Sequence, residues 1–459
     1  MCTLDFNKPI NVHFIGIGGI SMSGLAQILM SRNFNISGSD IKESYLTGLL
    51  KEKGARIYIG HKSENINNSL DLVVYTAAIG EENEELKRAK ELNIPIMTRA
   101  RLLGLIMGNY KNAIAVSGTH GKTTTTSMIA AALLNDSSKD ATITVGGMLN
   151  DIEGNLRIGG GQTFLTEACE YMNSFLEFKP SISLILNVEE DHLDFFKDIY
   201  DIRNSFNKFA KITEKDGVVI INNMIDDYED LLYNVNKRIV TFGDEKADYH
   251  AGNIRLDDFA RASFDLYIYG ENKRRVNLGV SGLHNVYNFL AATAACVEAG
   301  MDLELVITSI EGFSGTHRRF EYKGEKNGVT IIDDYAHHPT EIRAALDTAK
   351  GYRHKELWVV FQPHTYTRTK ALFDEFVEAL KGFDHVILTD IYAARERNTV
   401  GIHSKFLSDA LKENFVDSYY FDSFEKIEDF VQKKCKKNDM LITMGAGNVV
   451  EIADDLLRV

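Results

Sequence analysis

The sequence has few cysteines, only four among 459 residues. Cys2, Cys169, Cys296 and Cys435 are scattered along it, without the spacing of metal ligands or of a disulfide framework. This scarcity excludes a small fold held by disulfides and is typical of a reducing compartment. We expect none of the four to take part in function.

The sequence also lacks any long hydrophobic run. No apolar stretch approaches the ~20 residues that a membrane-spanning helix needs. Residues 1–9 lack the basic-then-apolar pattern of a signal peptide. We therefore expect a cytoplasmic protein that does not bind a membrane.

Positive charge is in deficit, since 51 Lys and Arg residues stand against 65 Asp and Glu residues, a formal net charge of -14. A negative protein is unsuited to bind nucleic acid, because that binding depends largely on neutralising phosphates with Lys and Arg. A ligand that carries phosphate must then be met by a local basic cluster. The length and the 44% hydrophobic content suit a globular protein of about three domains.

What the sequence does contain is a strand, a glycine loop and a helix in succession. Residues 113–124 read AIAVSGTHGKTT, and an apolar, helix-forming segment follows at 125–134. Glycines let backbone N–H groups converge on an anion, and the start of the helix adds partial positive charge. Lys122 can reach a terminal phosphate, and Thr123 offers a hydroxyl to Mg²⁺. Although Val116 replaces the first glycine of the usual G-x-x-x-x-G-K-[ST] pattern, the loop predicts a nucleoside triphosphate site.

Another glycine turn, the first along the chain, lies near the N-terminus, where the strand at residues 10–15 leads into Gly18 and Gly19 and then into a helix. This arrangement suits a pyrophosphate, and Asp40 follows the next strand at about the position of a ribose-binding carboxylate. The dinucleotide fingerprint requires a third glycine where Ser21 stands. The turn is therefore weak evidence for NAD and fair evidence for another diphosphate, and a purely structural turn stays an alternative.

Two predicted strands in the middle of the chain, at residues 162–166 and 180–186, deliver polar residues at their carboxyl ends. Because the carboxyl ends of parallel strands share one edge, Thr123, Glu167 and His192 are expected to converge on one metal beside the phosphates. Oxygen ligands suit Mg²⁺, whereas the histidine leaves Mn²⁺ possible. A solvated Glu167 and a packed His192 are the alternatives.

Between residues 247 and 277 the alternation of apolar and polar residues predicts antiparallel strands, and an apolar helix follows. Asn285 and Asn288 are three residues apart, so they share one face of that helix. They either cap the helix or present their amides to a purine.

The last segment starts near Thr316, and each of its four predicted strands is followed by a polar cluster, as a site at one sheet edge requires. Pro339 and Thr340 are suited to open the helix after the first cluster. The four strands cover residues 329–332, 357–361, 385–389 and 440–444.

Taken together, seven groups of residues resemble the motifs of the Mur ligase family, in the same order across nearly the whole chain. They are residues 13–19 with 22–24, 118–123, 191–194, 284–285 with 288, 318–321, 333–341 and 445–448. No single motif is decisive, but the combination is highly specific.

The resemblance implies a three-domain α/β protein. A Rossmann-like N-terminal domain (1–108) would bind a UDP-sugar, and a central P-loop-type ATPase domain with a mixed sheet (109–315) would bind ATP. A Rossmann-like C-terminal domain (316–459) would bind an amino acid. The implied activity is an ATP-dependent ligase of peptidoglycan precursor synthesis that joins L-alanine to the lactyl carboxylate of UDP-N-acetylmuramate through an acyl phosphate. Domain closure would exclude water, which otherwise hydrolyses the acyl phosphate. A monomer or homodimer is expected.

The resemblance also implies roles for individual positions. The residues expected to bind ATP are Gly118, Thr119, His120, Gly121, Lys122, Thr123, Thr124, Asn288 and Arg319. Those expected to bind the UDP-sugar are Gly18, Gly19, Ile20, Ser21, Asp40, His192, His364 and Arg368. Those expected to border the amino acid are Asp334, Tyr335, His337 and Arg395. The expected catalytic residues are Lys122, His337 and Arg368, and the expected metal ligands, with Mg²⁺ or Mn²⁺, are Thr123, Glu167 and His192.

The chain departs from the pattern of the family at Arg101 and at Cys169-Glu170-Tyr171, so Glu170 competes with Glu167 as metal ligand. Lys208 is only a loose candidate for the carbamylated lysine of some members. Three alternative functions stay open. They are a murein tripeptide ligase acting on the same nucleotide sugar, an NAD-dependent dehydrogenase built on the first glycine turn, and a nucleotide-gated binding module without chemistry.

Overall fold

Three β-sheets follow one another along the chain, and helices flank each of them. The predicted three-domain α/β class is therefore confirmed, whereas the predicted boundaries after residues 108 and 315 stay predictions. The computed structural model describes residues 4–76, 79–152, 154–193, 195–394 and 396–458. No helix within these ranges is both long and apolar enough to cross a membrane.

The first sheet is parallel throughout, and its central strand is buried because Val12 and Phe14 pack on one face and Ile15 packs on the other. Its strands are β1 Asn11–Ile15, β2 Asn35–Asp40, β3 Arg56–Ile59, β4 Leu72–Tyr75 and β5 Ile96–Thr98. Its helices are α1 Ile20–Met30, α2 Tyr45–Glu52, α3 Glu84–Glu91 and α4 Arg99–Met107, with a 3₁₀ turn at Ser63–Asn65. The strand order is β3-β2-β1-β4-β5, so the glycine turn after β1 lies at the switch point of a doubly wound sheet.

The second sheet is mixed and has ten strands. They are β6 Asn112–Ser117, β7 Thr142–Leu149, β8 Gly154–Arg157, β9 Thr163–Glu167, β10 Ile182–Ile185, β11 Val218–Asn222, β12 Arg238–Gly243, β13 Tyr249–Leu256, β14 Arg261–Ile268 and β15 Glu271–Ser281. The order is β15-β14-β13-β12-β11-β10-β6-β9-β7-β8. Antiparallel pairing of β13, β14 and β15 confirms the pattern predicted for this stretch, and β7 with β8 adds an antiparallel edge.

The helices that flank the second sheet are α5 Lys122–Asn135, α6 Ile199–Ile212, α7 Tyr228–Leu231, α8 His284–Glu298 and α9 Leu303–Glu311. Two 3₁₀ turns lie at Asn150–Ile152 and Tyr171–Glu177. Helix α5 packs against both α8 and α9. Buried small side chains such as Ala131 and Ala292 let these helices approach one another closely. This packing fixes α5 against the start of α8. It also fixes the glycine loop at residues 118–121, called the phosphate loop below.

The third sheet has six strands, β16 Glu321–Lys326, β17 Val329–Asp334, β18 Leu357–Phe361, β19 His385–Leu388, β20 Asp417–Tyr420 and β21 Met440–Met444. Its helices are α10 Pro339–Gly351, α11 Tyr366–Ala371, α12 Phe373–Leu380, α13 Ser404–Glu413, α14 Phe424–Lys434 and α15 Val450–Arg458. The order is β16-β17-β21-β18-β19-β20, and only β16 runs antiparallel to its neighbour. Pro339 opens α10, as predicted, after a His338 cap that accepts from the Thr340 N–H.

Candidate active site

Two cavities, of about 640 and 780 Å³, adjoin the phosphate loop. His120, Gly121, Arg319 and Glu341 line both cavities, so the loop forms part of a common wall. The first, smaller cavity is bounded by the start of α8. The second, larger cavity is lined by residues that follow strands of all three sheets, and the loop separates it from the first.

Glycine is required at two positions of the phosphate loop. Gly118 has φ +141° and Gly121 has φ +81°, both in the left-handed region. A Cβ on Gly118 would lie 2.9 Å from the Cβ of Leu186, and one on Gly121 would lie 2.8 Å from Oδ1 of Asn288. Helix α5 begins at Lys122, so the loop leads directly into free N–H groups at a helix start.

Lys122 folds back over the loop. Its Nζ donates to the carbonyl oxygens of Gly118 and Thr119 and lies 3.3 and 3.1 Å from the two carboxylate oxygens of Glu170. Burial alone would lower the pKa of Lys122, but the carboxylates of Glu170 and Glu167 help to raise it above its usual value. The lysine therefore stays charged. A phosphoryl group bound on the loop would contact the same ammonium group as Glu170.

The structure brings Thr123 and Glu167 together. The Thr123 hydroxyl donates to Oε2 of Glu167 at 3.2 Å, and the Gly146 N–H donates to Oε1 at 2.6 Å. His192 lines the same cavity, but its Nε2 lies 4.0 Å from Oε1 of Glu170. Glu167 therefore faces the threonine and Glu170 faces the lysine and histidine. Which carboxylate would bind a metal stays a prediction.

His120 lies between two carboxylates from different parts of the chain. Its Nε2 is 3.6 Å from Oε2 of Glu189, which follows β10, and its Nδ1 is 3.4 Å from Oε1 of Glu341 in the first turn of α10. Burial alone would lower the pKa of His120, but the two carboxylates raise it to about 9. The protonated His120 of the phosphate loop, which follows a strand of the second sheet, therefore forms an ion pair with Glu341 of α10, beside the third sheet.

Asn285 and Asn288 share one face of α8, as predicted, but neither caps the helix. The Asn288 side chain donates to Oδ1 of Asn285 at 2.9 Å and its oxygen accepts from the Thr125 hydroxyl at 3.2 Å. Asn285 in turn donates to the Ser281 carbonyl at 2.7 Å. This chain of amides positions Asn288 at the wall of the first cavity, which Thr124 also lines.

At the first glycine turn, the Gly18 N–H donates to Oδ2 of Asp40 at 2.8 Å. Asp40 thus stabilises the turn itself. Ile20, which is 62% exposed, lines the second cavity at the start of α1. The next residue, Ser21, accepts from the guanidinium of Arg99 at 2.9 Å.

Arg99, which contacts the first glycine turn, is a candidate site residue that the sequence did not reveal. It opens α4 directly after β5, and burial lowers the pKa of its guanidinium. Among the residues that the structure describes, no carboxylate forms an ion pair with it. A cation of this kind beside the start of α1 is suited to bind a diphosphate. Its position at the carboxyl end of a predicted strand is the sequence signal that could have identified Arg99.

The four residues predicted to border the amino acid do not all lie in one place. Tyr335 and His337 line the second cavity. Asp334 is buried, and its two oxygens accept from the N–H groups of Ala336 and Phe320 at 2.7 Å, while burial raises its pKa to about 6. Asp334 thus stabilises the loop that carries the other two. Arg395 lies outside the described residues.

Arg368 makes a second contact between the sheets. Its guanidinium donates to Nδ1 of His364 at 3.4 Å and lies 3.5 Å from Oδ1 of Asp191, which adjoins His192. The His364 ring lies 5.7 Å from that of His337, centroid to centroid. Positive charge from the third sheet therefore reaches the carboxyl end of β10 in the second.

Comparison with known proteins agrees with this architecture. The description "Mur ligase family, catalytic domain" matches residues 11–111, "Mur ligase middle domain" matches residues 116–296, and "Mur ligase, glutamate ligase domain" matches residues 318–447. Proteins named UDP-N-acetylmuramate--L-alanine ligase are similar over the full length of both chains. One from Agathobacter rectalis is 55% identical over 459 residues, and one from Lachnospira eligens is 53% identical over 460 residues.

A solved structure is also similar. The UDP-N-acetylmuramate-alanine ligase from Thermotoga maritima is 30% identical, covers 98% of each chain and superposes with a TM-score of 0.79. The resemblance drawn from the motifs is thereby confirmed: the chain belongs to the Mur ligase family.

Proposed function

We propose that the chain is an ATP-dependent ligase that joins L-alanine to the lactyl carboxylate of UDP-N-acetylmuramate, releasing ADP and phosphate. One observation carries the proposal: Ile20 at the end of the first glycine turn, Lys122 of the phosphate loop and His337 all line the second cavity. The names of the full-length relatives from Agathobacter rectalis and Lachnospira eligens support the same substrates. The tripeptide ligase, dehydrogenase and binding-module alternatives have no comparable support.

In the first step an oxygen of the lactyl carboxylate attacks the γ-phosphorus of ATP, and ADP leaves. The triphosphate lies along the N–H groups of residues 118–124, with the adenosine in the first cavity beside Asn288 and Arg319. Lys122 stabilises the charge that develops on the transferring phosphoryl oxygens. Glu170 keeps this lysine positioned before ATP arrives.

The donor set at Thr123 and Glu167 fits Mg²⁺, because a hydroxyl and a carboxylate oxygen lie 3.2 Å apart at the start of α5. Within the described residues, no group of three His, Cys, Asp or Glu side chains could hold a metal by itself. The remaining ligands would therefore be phosphate oxygens and water, with His192 as a further candidate that suits Mn²⁺. When bound, the cation neutralises phosphate charge.

The nucleotide sugar lies between the first and third sheets. Its diphosphate sits on the turn at residues 18–21 beside Arg99, and Asp40 adjoins the uridine. Arg368 and His364 approach the muramyl oxygens from the other side. The lactyl carboxylate then lies in the second cavity, close to the phosphate loop.

In the second step the alanine amine attacks the acyl carbon, and phosphate leaves with the electrons of the broken C–O bond. His337 is suited to take the proton of the amine. Its Nδ1 lies 3.0 Å from the Tyr335 carbonyl oxygen, which can only accept, so Nδ1 carries the hydrogen and Nε2 keeps its lone pair. Burial lowers the pKa of His337, so the ring is neutral when alanine binds.

The test is incubation with ATP, Mg²⁺, UDP-N-acetylmuramate and labelled alanine, followed by mass spectrometry of the nucleotide product. We expect alanyl-UDP-N-acetylmuramate and one ADP for each product molecule. Parallel reactions contain the murein tripeptide in place of alanine. Product formation with the tripeptide alone would overturn the choice of alanine.

A further inference from the structure

Glu341 divides its two carboxylate oxygens between two parts of the candidate site. Oε1 lies 3.4 Å from Nδ1 of His120 and 3.6 Å from Nη1 of Arg319. Oε2 accepts from the backbone N–H of His337 at 3.0 Å and lies 3.2 Å from its Nδ1. One side chain therefore contacts both the phosphate loop and the histidine on the amine side of the second cavity.

The contacts of Glu341 with His120 and Arg319 are ion pairs, at 3.4 and 3.6 Å. Its side chain is only 14% exposed, so solvent screens little of the attraction. Although burial opposes ionisation, the Nδ1–H of the neutral His337 and the positive charges of His120 and Arg319 hold the pKa of Glu341 well below its usual range. Glu189 contacts the other edge of the His120 ring at 3.6 Å and limits its movement.

We infer that Glu341 is a positioning residue that couples the phosphate loop to His337, so that a nucleotide bound on the loop aligns the histidine that receives the amine proton. The inference rests on the proposed function, because it assigns His337 to the second step. Nothing in the chemistry requires Glu341 to touch a substrate. It acts through the two histidines.

The geometry explains why a carboxylate of this length is needed. The amide of glutamine has one oxygen and one NH₂ group, so it can accept only on one of the two sides. Aspartate is one methylene shorter and cannot span both contacts. Either replacement should leave the fold and the cavities in place. It should remove the contact of residue 341 with His120 or the contact with His337.

The first experiment measures coupling without turnover. Hydrogen exchange of residues 337–343 is followed with and without ADP and Mg²⁺, in the wild-type chain and in Glu341→Gln. We expect ADP to slow exchange in the wild-type chain and to have little effect in Glu341→Gln or in His120→Gln. An equal response in all three proteins would overturn the inference, whether or not the ligase activity is found.

The second experiment measures product against ATP consumed. In Glu341→Gln we expect the KM for alanine to rise and kcat to fall, by about 10- to 100-fold for a misplaced group, while the Kd for ADP changes little. More than one ATP should be consumed for each product, because a poorly aligned amine leaves the acyl phosphate to water. Asp347→Asn, an exposed change on the same helix, is the matched control and should behave as wild type.

A Glu341→Gln chain that unfolds more easily, yet keeps the wild-type KM for alanine and one ATP per product, would reduce Glu341 to a structural role. If the wild-type chain forms no product with alanine, the proposed function fails. The hydrogen-exchange response then still decides on the coupling itself.

Discussion

The ammonium group of Lys122 lies against both carboxylate oxygens of Glu170, 3.3 Å from Oε1 and 3.1 Å from Oε2. Glu170 is almost completely buried. Two opposite charges removed from water stabilise each other, but neither is tolerated alone. The lysine is thus held in place by an anion before a phosphate reaches the loop.

Lys122→Met should abolish most of the activity and also destabilise the protein. Turnover should fall by at least ~100-fold, the equivalent of about 3 kcal/mol of lost transition-state stabilisation. The unpaired Glu170 should lower the free energy of unfolding by about 3–5 kcal/mol. Lys122→Met with Glu170→Gln should recover stability but not turnover, as measured by phosphate release and urea unfolding. Near-normal turnover in the single variant would remove Lys122 from the mechanism.

The ion pairs of His120 should make stability depend on pH. Because its pKa is raised from 6.5 to about 9 in the folded chain, their contribution is fully present below about pH 6.5 and is lost as the pH rises through about 9. The difference amounts to on the order of 3 kcal/mol. Unfolding free energies of the wild-type chain and His120→Gln should therefore converge between pH 6 and pH 10. The exposed His403→Gln is the control, and a pH-independent gap for His120→Gln would contradict the assignment.

Arg99→Ala should weaken binding of the nucleotide sugar more than binding of ATP. Loss of a charged hydrogen bond to the diphosphate costs about 1.5–3 kcal/mol, so the KM for UDP-N-acetylmuramate should rise by about 10- to 100-fold. The KM for ATP should change less, because Arg99 donates to Ser21 and, among the described residues, makes no hydrogen bond to the phosphate loop. Arg101→Ala, on the same helix but paired with Glu177, should leave both values unchanged. Equal changes in both KM values would argue against a specific diphosphate contact.

Thr123→Val and Glu167→Gln should raise the Mg²⁺ concentration that gives half-maximal activity. Each removes one predicted oxygen ligand, and a loss of ~1.4 kcal/mol corresponds to tenfold. Thr126→Val is the matched control on α5, since the buried Thr126 hydroxyl has no hydrogen-bond partner among the described residues. His192→Ala tests the third predicted ligand in the same titration. If His192→Ala leaves the Mg²⁺ requirement unchanged, His192 is a packed side chain and not a metal ligand.

The fold was largely predictable because its signals are local. Apolar strands that end in glycine turns or polar clusters mark the carboxyl edges of all three sheets, and Pro339 marks the start of α10. The predicted helix after the phosphate loop begins three residues early, at Lys122. That difference arises because Gly121, in the left-handed conformation, ends the loop at the residue before it.

The contacts between sheets were not predictable. Glu341 meets His120, and Arg368 meets Asp191, only because segments that follow strands of the second and third sheets come together, which no local pattern encodes. Arg319 lines both cavities between two residues with positive φ, Arg318 at 60° and Phe320 at 45°. Neither residue type favours that conformation.

The common wall at His120 and Gly121 has a consequence for inhibitor design. A compound that fills the first cavity leaves the second open, so two such fragments should bind at the same time. A linker that joins them would have to pass over the loop at residues 118–121 and not through it, because even one methyl group added at Gly121 collides with Asn288. The triphosphate proposed to lie along this loop takes the same path, so a single extended molecule should copy its course.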